Sequence, residues 1–116
     1  MQNIEDSNVK IFDKEALLAR LCDDEELANE VLDVFLEDTP HQIESLRAAQ
    51  IAGDVELIAR QGHTIKGASS NISALRLKEI ACDIEQAGKQ GELDRVSELL
   101  GMLEEQFREL QKYLSR

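Results

Sequence analysis

The sequence predicts an all-α protein, an antiparallel four-helix bundle with an additional short N-terminal helix. Apolar residues recur at steps of three and four along most of the chain, and no segment alternates as a strand does. Short connections with helix-capping and helix-ending residues separate these segments, which is typical of antiparallel neighbours. With 116 residues, the chain is long enough for one domain with a single core.

The first predicted helix lies in residues 12–21, "FDKEALLARL", where Asp13 is a suitable N-cap. Its apolar residues are Leu17, Leu18 and Leu21. The preceding residues 1–10 are polar and are predicted to form a flexible N-terminus. Residues 11–116 are therefore predicted to be the helical domain.

A long second helix is predicted over residues 24–52, opened by a capping box formed by Asp23 and Glu26. Pro40 has no N–H group, so we expect a kink near Asp38–Pro40. The alternative is a break, with Thr39 as a new N-cap. The apolar stripe of this helix is predicted to consist of Leu27, Val31, Val34, Phe35, Ile43, Leu46 and Ala49.

The third predicted helix covers residues 54–71. Gly53 ends the second helix and Asp54 caps the third, because glycine suits a helix end and aspartate suits an N-cap. The apolar arc of this helix consists of Leu57, Ile58, Ile65, Ala68 and Ile72.

The fourth predicted helix covers residues 74–90, with Ser73 or Asn71 at its start and Gly88 and Gly91 at its end. One of its faces is apolar and consists of Leu77, Ile80, Ala81, Ile84 and Ala87. This face is predicted to join the core.

The last predicted helix, over residues 92–115, has the most regular pattern of all. Its apolar residues alternate steps of three and four, as in an amphipathic helix, and are Leu93, Val96, Leu100, Leu103, Phe107, Leu110 and Leu114. The whole sequence is rich in the residues that favour helices.

The net charge of −11 argues against nucleic-acid binding, because an acidic surface repels phosphates. It also disfavours anionic membranes, and no apolar run reaches the roughly 18 residues of a membrane span. The N-terminus has no apolar signal core, so we expect a cytoplasmic protein. Cys22 and Cys82 have no metal-binding spacing and are predicted to be small core residues in a reducing compartment.

The stretch "GHTIKGASSN" places a histidine on the side of the third helix that faces away from the apolar arc. At about 100° per residue, Lys66, Gly67 and Ser70 share this side with His63. A glycine inside a helix costs roughly 1 kcal/mol relative to alanine, so Gly67 indicates that another molecule must approach closely. Ser70 adds a hydroxyl donor to the same face.

An exposed imidazole can act as a nucleophile near neutral pH and form a covalent intermediate. A phosphoryl group on His63 would carry about one and a half to two negative charges, which Lys66 is placed to offset. The sequence has no phosphate-binding loop of a kinase or ATPase and no evident magnesium site. We therefore expect a phosphoryl carrier without an intrinsic cofactor or metal, which depends on its partner for the phosphoryl donor and Mg²⁺.

Residues 63–74, "HTIKGASSNISA", resemble the histidine-containing phosphotransfer (Hpt) domain family, whose hallmark is HxxKG on a bundle helix. The resemblance implies that His63 is phosphorylated, through Nε2, and that Lys66 stabilises the phosphoryl group. It also implies that Gly67 gives a receiver domain room to dock. Glu85 corresponds to a position where the family often has a glutamine or glutamate near the histidine.

The function implied by this resemblance is that of a monomeric carrier in a two-component phosphorelay. Its implied partners are receiver domains of response regulators, including one in a hybrid sensor kinase. The sequence departs from the family at Ser73, where a glycine is common before Ala74, and at Gly62, where alanine is frequent. Gly62 is expected to loosen the helix.

Two other functions stay open at this point. The chain could be the phosphoacceptor domain of a chemotaxis-type histidine kinase, which receives its phosphoryl group from an ATP-binding domain. A non-catalytic helical adaptor would explain the bundle and the charge, but not the face around His63. A metal site at His41 with Glu37 or Glu44 is a weaker interpretation than a solvated polar face, since no third strong ligand is apparent.

Overall fold

The computed structural model describes residues 10–115 of the protein, which contain five α-helices and no strand. The helices are α1 (Lys14–Arg20), α2 (Glu25–Ala52), α3 (Val55–Asn71), α4 (Leu75–Lys89) and α5 (Leu93–Tyr113). The prediction of an all-α protein is confirmed. The predicted flexible N-terminus lies outside the described residues, apart from Lys10.

The four long helices pack against one another in a cycle. Helix α2 contacts α3 and α5, α4 contacts the same two helices, and α1 packs on α2. Between α2 and α5, the rings of Phe35 and Phe107 lie 6.3 Å apart, and Arg47 forms an ion pair with Glu104. All five helices contribute apolar residues to one continuous core. Within residues 10–115, no helix is long and apolar enough to cross a membrane.

Helix α1 begins where the sequence predicts. The Asp13 carboxylate accepts a hydrogen bond from the backbone N–H of Ala16 at 3.1 Å, as an N-cap does. The backbone N–H of Asp13 also donates to the carbonyl of Ser73 at 2.9 Å. This second bond attaches the start of α1 to the turn between α3 and α4.

The connection from α1 to α2 corrects two predictions. Asp24, rather than Asp23, caps α2 by accepting from the N–H of Leu27 at 3.0 Å. Asp23 lies in the left-handed backbone region with Cys22, at φ 63° and 54°, so it belongs to the turn and cannot open the helix. The prediction of a core position is wrong for Cys22, which is exposed, and Cys82 is only half-buried; both thiols are free.

Helix α2 continues through Pro40 as one helix of 28 residues. Thr39 is buried inside it, so the alternative with a break and an N-cap at Thr39 is wrong. A proline in a helix interior costs about 3 kcal/mol. Packing against both α3 and α5 compensates for that cost, because α2 buries one face along its length.

The buried face of α2 differs from the predicted stripe in its first half. Leu27 and Val34 were expected in the core, but they are 40% and 57% exposed. The buried positions repeat at steps of three and four and are Ala28, Leu32, Phe35, Thr39, Ile43, Leu46 and Ala49. The predicted stripe lacks Ala28, Leu32 and Thr39, because in the first turns it lies one residue before the buried face.

The connection from α2 to α3 is formed by Gly53 and Asp54, as predicted. Gly53 has φ 68°, the left-handed conformation that ends many helices, and Asp54 accepts from the N–H of Leu57 at 3.1 Å. The start of α4 differs: Ala74 is its N-cap and has no capping side chain, while Ser73 lies at φ 62° in the preceding turn. The prediction of Ser73 or Asn71 as the cap is therefore wrong, since α3 continues through Asn71.

Of the two glycines predicted to end α4, one lies beyond the helix and one lies inside it. Gly91 has φ 70° and lies in the turn to α5. Gly88 lies inside α4, which ends at Lys89. The apolar faces predicted for α4 and α5 are mostly buried; in α5 the buried residues are Val96, Leu99, Leu100, Leu103, Gln106, Phe107 and Leu110.

Candidate functional site

His63 lies on the outer side of α3, at the middle of the helix. The opposite side is buried, and its residues are Ile58, Gly62, Ile65 and Ser69. The side chain of His63 is 68% exposed, as expected for a residue that faces away from the apolar arc. Solvent and other molecules can therefore reach the imidazole.

Glu85 on α4 is a buried carboxylate surrounded by three basic side chains. Only 7% of its side-chain surface is exposed. Its Oε1 accepts a hydrogen bond from Lys66 Nζ at 2.7 Å, while its Oε2 lies 3.1 Å from His63 Nδ1 and 3.3 Å from Lys89 Nζ. A buried charge is tolerated when it is paired and hydrogen-bonded, and these contacts meet that condition.

These contacts change the acidity of Glu85 and Lys66 in opposite directions. The hydrogen bond from Lys66 lowers the pKa of Glu85, and Lys89 and His63 act in the same direction, whereas burial opposes them. The same Lys66–Glu85 hydrogen bond raises the pKa of Lys66, against the opposing effect of desolvation. At neutral pH, Glu85 is therefore a carboxylate and Lys66 an ammonium ion.

The ionised carboxylate determines which nitrogen of His63 carries the proton. A carboxylate can only accept hydrogen bonds, so the nitrogen beside it, Nδ1, must be the donor. In the neutral ring, the lone pair is then on Nε2, on the far side of the ring from Nδ1. Because the side chain is exposed, this lone pair is available to an electrophile from outside the protein.

Gly67, one turn after His63, leaves an open patch of backbone on the same face. It is exposed, and a Cβ atom at this position would have no neighbouring atom within 4 Å. No contact among the described residues therefore requires glycine here. The open backbone leaves space for close approach by another molecule beside His63.

Gly62, immediately before His63, has the opposite surroundings. It is buried, and a Cβ atom there would lie 2.9 Å from the backbone N of Glu85 and 3.2 Å from the carbonyl O of Ala81. Helix α3 is continuous at this position. The expectation that Gly62 loosens the helix missed this contact, because the sequence does not show which residues of α4 lie opposite.

Comparison with known proteins agrees with this geometry. A family model described as Hpt domain matches residues 30–114. The chain belongs to the Hpt domain family. The crystal structure of histidine-containing phosphotransfer protein B (HptB) from Pseudomonas aeruginosa PAO1 is similar to it, with a TM-score of 0.84 and 28% sequence identity. The match covers 91% of this chain and 92% of that chain. No curated protein has a significant sequence match.

Membership in the Hpt family confirms the resemblance found in the sequence and the role it implies, histidine phosphotransfer in a phosphorelay. Hpt domains are phosphoryl carriers rather than kinases, and they interact with receiver domains. In this Hpt domain, the structure brings together three of the residues predicted for the site: His63, Lys66 and Glu85.

Ser70, which was predicted as a hydroxyl donor, lies apart from this cluster. Its backbone carbonyl accepts a hydrogen bond from Arg20 Nη1 at 2.5 Å, and the carbonyl of Asn71 accepts one from the same nitrogen at 2.9 Å. Among the described residues, no hydrogen bond joins its hydroxyl to His63 or Glu85. Through Ser70 and Asn71, the end of α3 is therefore bonded to Arg20 at the end of α1.

Lys89 is a member of the site that the sequence analysis missed. It follows Glu85 by one helical turn, a spacing at which opposite charges on a helix interact. That spacing could have suggested the pair once Glu85 was considered. Lys89 stands at the end of α4, beside glycines that predict a helix ending, so the local pattern gives no sign of a role in the site.

His41, the second histidine, has none of these surroundings. It is exposed on α2, and no group of three or more potential metal ligands exists among residues 10–115. It therefore provides a natural control for His63 in this Hpt domain.

Proposed function

We propose that His63 is the phosphorylated residue of this Hpt domain and carries a phosphoryl group between aspartates of receiver domains. The observation that supports this most directly is the contact between Nδ1 of an exposed imidazole and a buried carboxylate. It leaves Nε2 unprotonated in the neutral ring of an exposed side chain. His41 is exposed on α2 and has no such carboxylate partner among residues 10–115.

In the proposed transfer, the Nε2 lone pair attacks phosphorus in line with the bond to the donor aspartate. The N–P bond forms as the P–O bond breaks, and the aspartate leaves as a carboxylate. Nδ1 keeps its proton, so positive charge develops on the ring, 3.1 Å from the negative charge of Glu85. When a second aspartate attacks phosphorus, the N–P bond breaks and the neutral ring is restored.

The charges around His63 suit the product of this reaction. Lys66 and Lys89 share the single carboxylate of Glu85, so the cluster carries one positive charge in excess while the imidazole is neutral. A phosphoryl group brings about one and a half to two negative charges. In our proposal, Lys66 stabilises that group, and Lys89 adds to the favourable potential.

The receiver docks on the face that contains His63 and Gly67, where the bare backbone lets its active site come close. In this proposal the receiver brings the phosphoaspartate and Mg²⁺, and the Hpt domain contributes no nucleotide site or cofactor. One such receiver belongs to a hybrid sensor kinase. The Hpt domain thus positions the imidazole and stabilises charge, and the receiver supplies the metal ion.

The same proposal includes an antiparallel four-helix bundle that acts as a monomer in the cytoplasm. The cyclic packing of α2 to α5 and their short connections support the bundle. The net charge of −11 disfavours self-association. Two free cysteines suit a reducing compartment.

Transfer of a radioactive phosphoryl group from a phosphorylated receiver tests this function. The wild-type chain should acquire acid-labile, base-stable label, which is typical of phosphohistidine, and His63→Gln should acquire none. His41→Gln is the matched control and should be labelled like the wild type. Label on His63→Gln would contradict the proposed site.

The same experiment distinguishes the two alternative functions when it is repeated with a different phosphoryl donor. Labelling only by an ATP-bound histidine kinase domain, and by no receiver, would indicate a chemotaxis-type phosphoacceptor domain. Absence of label with either donor would indicate an adaptor.

A further inference from the structure

Two glycines bring the backbones of α3 and α4 into close contact, one from each helix. A Cβ atom on Gly62 would lie 2.9 Å from the backbone N of Glu85. A Cβ atom on Gly88 would lie 2.9 Å from the backbone N of Ala59. Real Cβ atoms essentially never approach other atoms within 3.0 Å, so neither position accepts alanine without movement of a helix.

Both contacts lie close to the contact between His63 and Glu85, and on α3 both precede His63. Gly62 immediately precedes the histidine, and Gly88 follows the glutamate by three residues, next to Lys89. Gly62 touches the backbone of Glu85 itself. The two helices therefore come closest together in the same turns that carry His63 and Glu85.

The hydrogen bond to the imidazole has little tolerance for a larger separation. His63 Nδ1 and Glu85 Oε2 are 3.1 Å apart, near the upper end of the usual range of about 2.7–3.2 Å for such bonds. Residues on both helices are closely packed, so Glu85 cannot follow the histidine freely. Moving the helices apart by a few tenths of an ångström would weaken the bond.

We propose that Gly62 and Gly88 are positioning residues for His63, which hold α3 and α4 close enough for Glu85 to keep the proton on Nδ1. This inference rests on the proposed function of His63, because it assigns the glycines to the reactivity of that imidazole. They act through Glu85 and touch neither the phosphoryl group nor the receiver.

The test compares Gly62→Ala and Gly88→Ala with Gly101→Ala. Gly101 is also a helical glycine, but a Cβ atom there meets nothing within 4 Å. Nitrogen NMR of the unphosphorylated protein reports which ring nitrogen of His63 carries the proton. We expect Nδ1–H to dominate in the wild type and in Gly101→Ala, and Nε2–H to appear in both other variants.

The rate of phosphoryl transfer from a receiver should change in parallel. A displacement of well under 1 Å can slow a positioned reaction, and we expect a loss of about threefold to tenfold for Gly62→Ala and Gly88→Ala. In a Glu85→Ala background, adding Gly62→Ala should cause no further loss, because the residue through which the glycine acts is gone. A merely structural role would leave the proton on Nδ1.

Three results would overturn the inference. Lower stability of the glycine variants with an unchanged proton position and transfer rate would assign the glycines to packing alone. Failure of both variants to fold would lead to the same conclusion. Full additivity with Glu85→Ala would show that the glycines do not act through that residue. The NMR result on the unphosphorylated protein does not depend on His63 accepting label, so failure of the proposed function is recognised separately.

Discussion

Helix α3 has two glycines near His63, and their surroundings differ completely. Gly67 faces outward, and a Cβ atom there would meet nothing within 4 Å. Gly62 faces α4, and a Cβ atom there would lie 2.9 Å from the backbone of Glu85. The outer glycine leaves room for another molecule, whereas the inner one leaves room for a neighbouring helix of the same protein.

This difference shows how one helix can serve two purposes at a single histidine. Toward α4, His63 Nδ1 contacts the buried carboxylate of Glu85, which keeps the proton on that nitrogen. The outer side exposes the ring and the bare backbone to a partner. A glycine in a helix lowers stability in both places, but its removal should have opposite consequences.

The largest expected effect is therefore on stability. Gly62→Ala should lower the free energy of unfolding by about 1–2 kcal/mol, because the new methyl group overlaps the backbone of α4. Gly67→Ala should raise it by about 0.5–1 kcal/mol, since alanine favours the helix and meets no atom. Denaturant unfolding of both variants measures this, and changes of the same sign would remove the distinction between the two sides.

A charged side chain on the outer side should affect docking rather than folding. We expect Gly67→Glu to reduce transfer from a receiver by about tenfold, equivalent to about 1.4 kcal/mol, with little change in the melting temperature. Gly101→Glu is the matched control, as Gly101 is also helical and open, but lies on α5. Normal transfer to Gly67→Glu would contradict the role of Gly67 in close approach.

Lys66 lies between the solvent-facing side of α3 and the side that faces α4, since it is partly exposed and contacts the buried Glu85. Lys66→Ala should slow transfer or shorten the lifetime of phosphohistidine by a factor of about three to five, because one stabilising cation is lost. Lys112→Ala, which removes an exposed lysine at the end of α5, should change neither quantity. An unchanged rate and lifetime in Lys66→Ala would eliminate the proposed role.

The smallest effect concerns acid stability and the inner side alone. Because the folded-state pKa of Glu85 is lowered, its contribution to stability is present above its unfolded pKa and is lost as the pH falls through the folded value. Glu85→Gln lacks this titration. Between about pH 6 and pH 3, the variant should lose about 0.5 kcal/mol less unfolding free energy than the wild type.

Urea unfolding at both pH values tests this expectation. Equal losses in the two proteins would show that ionisation of Glu85 contributes nothing to folding. Lys66 does not interfere with this test, because its pKa is raised above 10.5 and it stays protonated throughout this range.

Much of the fold could be predicted because helix periodicity and capping are local properties. The caps at Asp13 and Asp54, the turn at Gly53 and the stripe of α5 all follow from residues within a few positions of one another. The errors occurred where a neighbouring helix decides. Thr39 and Ala28 belong to the buried face of α2 although neither is a large apolar residue, while Val34 is exposed.

The residues of the candidate site also divide into those that local spacing predicts and those that depend on a neighbouring helix. The face that carries His63, Lys66 and Gly67 was found from the helical wheel, and Glu85 was named only because of the resemblance to the Hpt family. Lys89 was missed, and Gly62 was interpreted without its partner in α4. Both depend on which turn of α4 lies beside which turn of α3.

The sequence by itself determined the helices, the family and the exposed histidine, since all three depend on spacing along one segment. Only the tertiary structure decided that Glu85 contacts His63 Nδ1 and both lysines, and that Gly62 lies against the backbone of Glu85. The physical reason is that spacing within a helix is set by its own geometry, whereas the separation and register of two helices are set by the packing of every side chain between them.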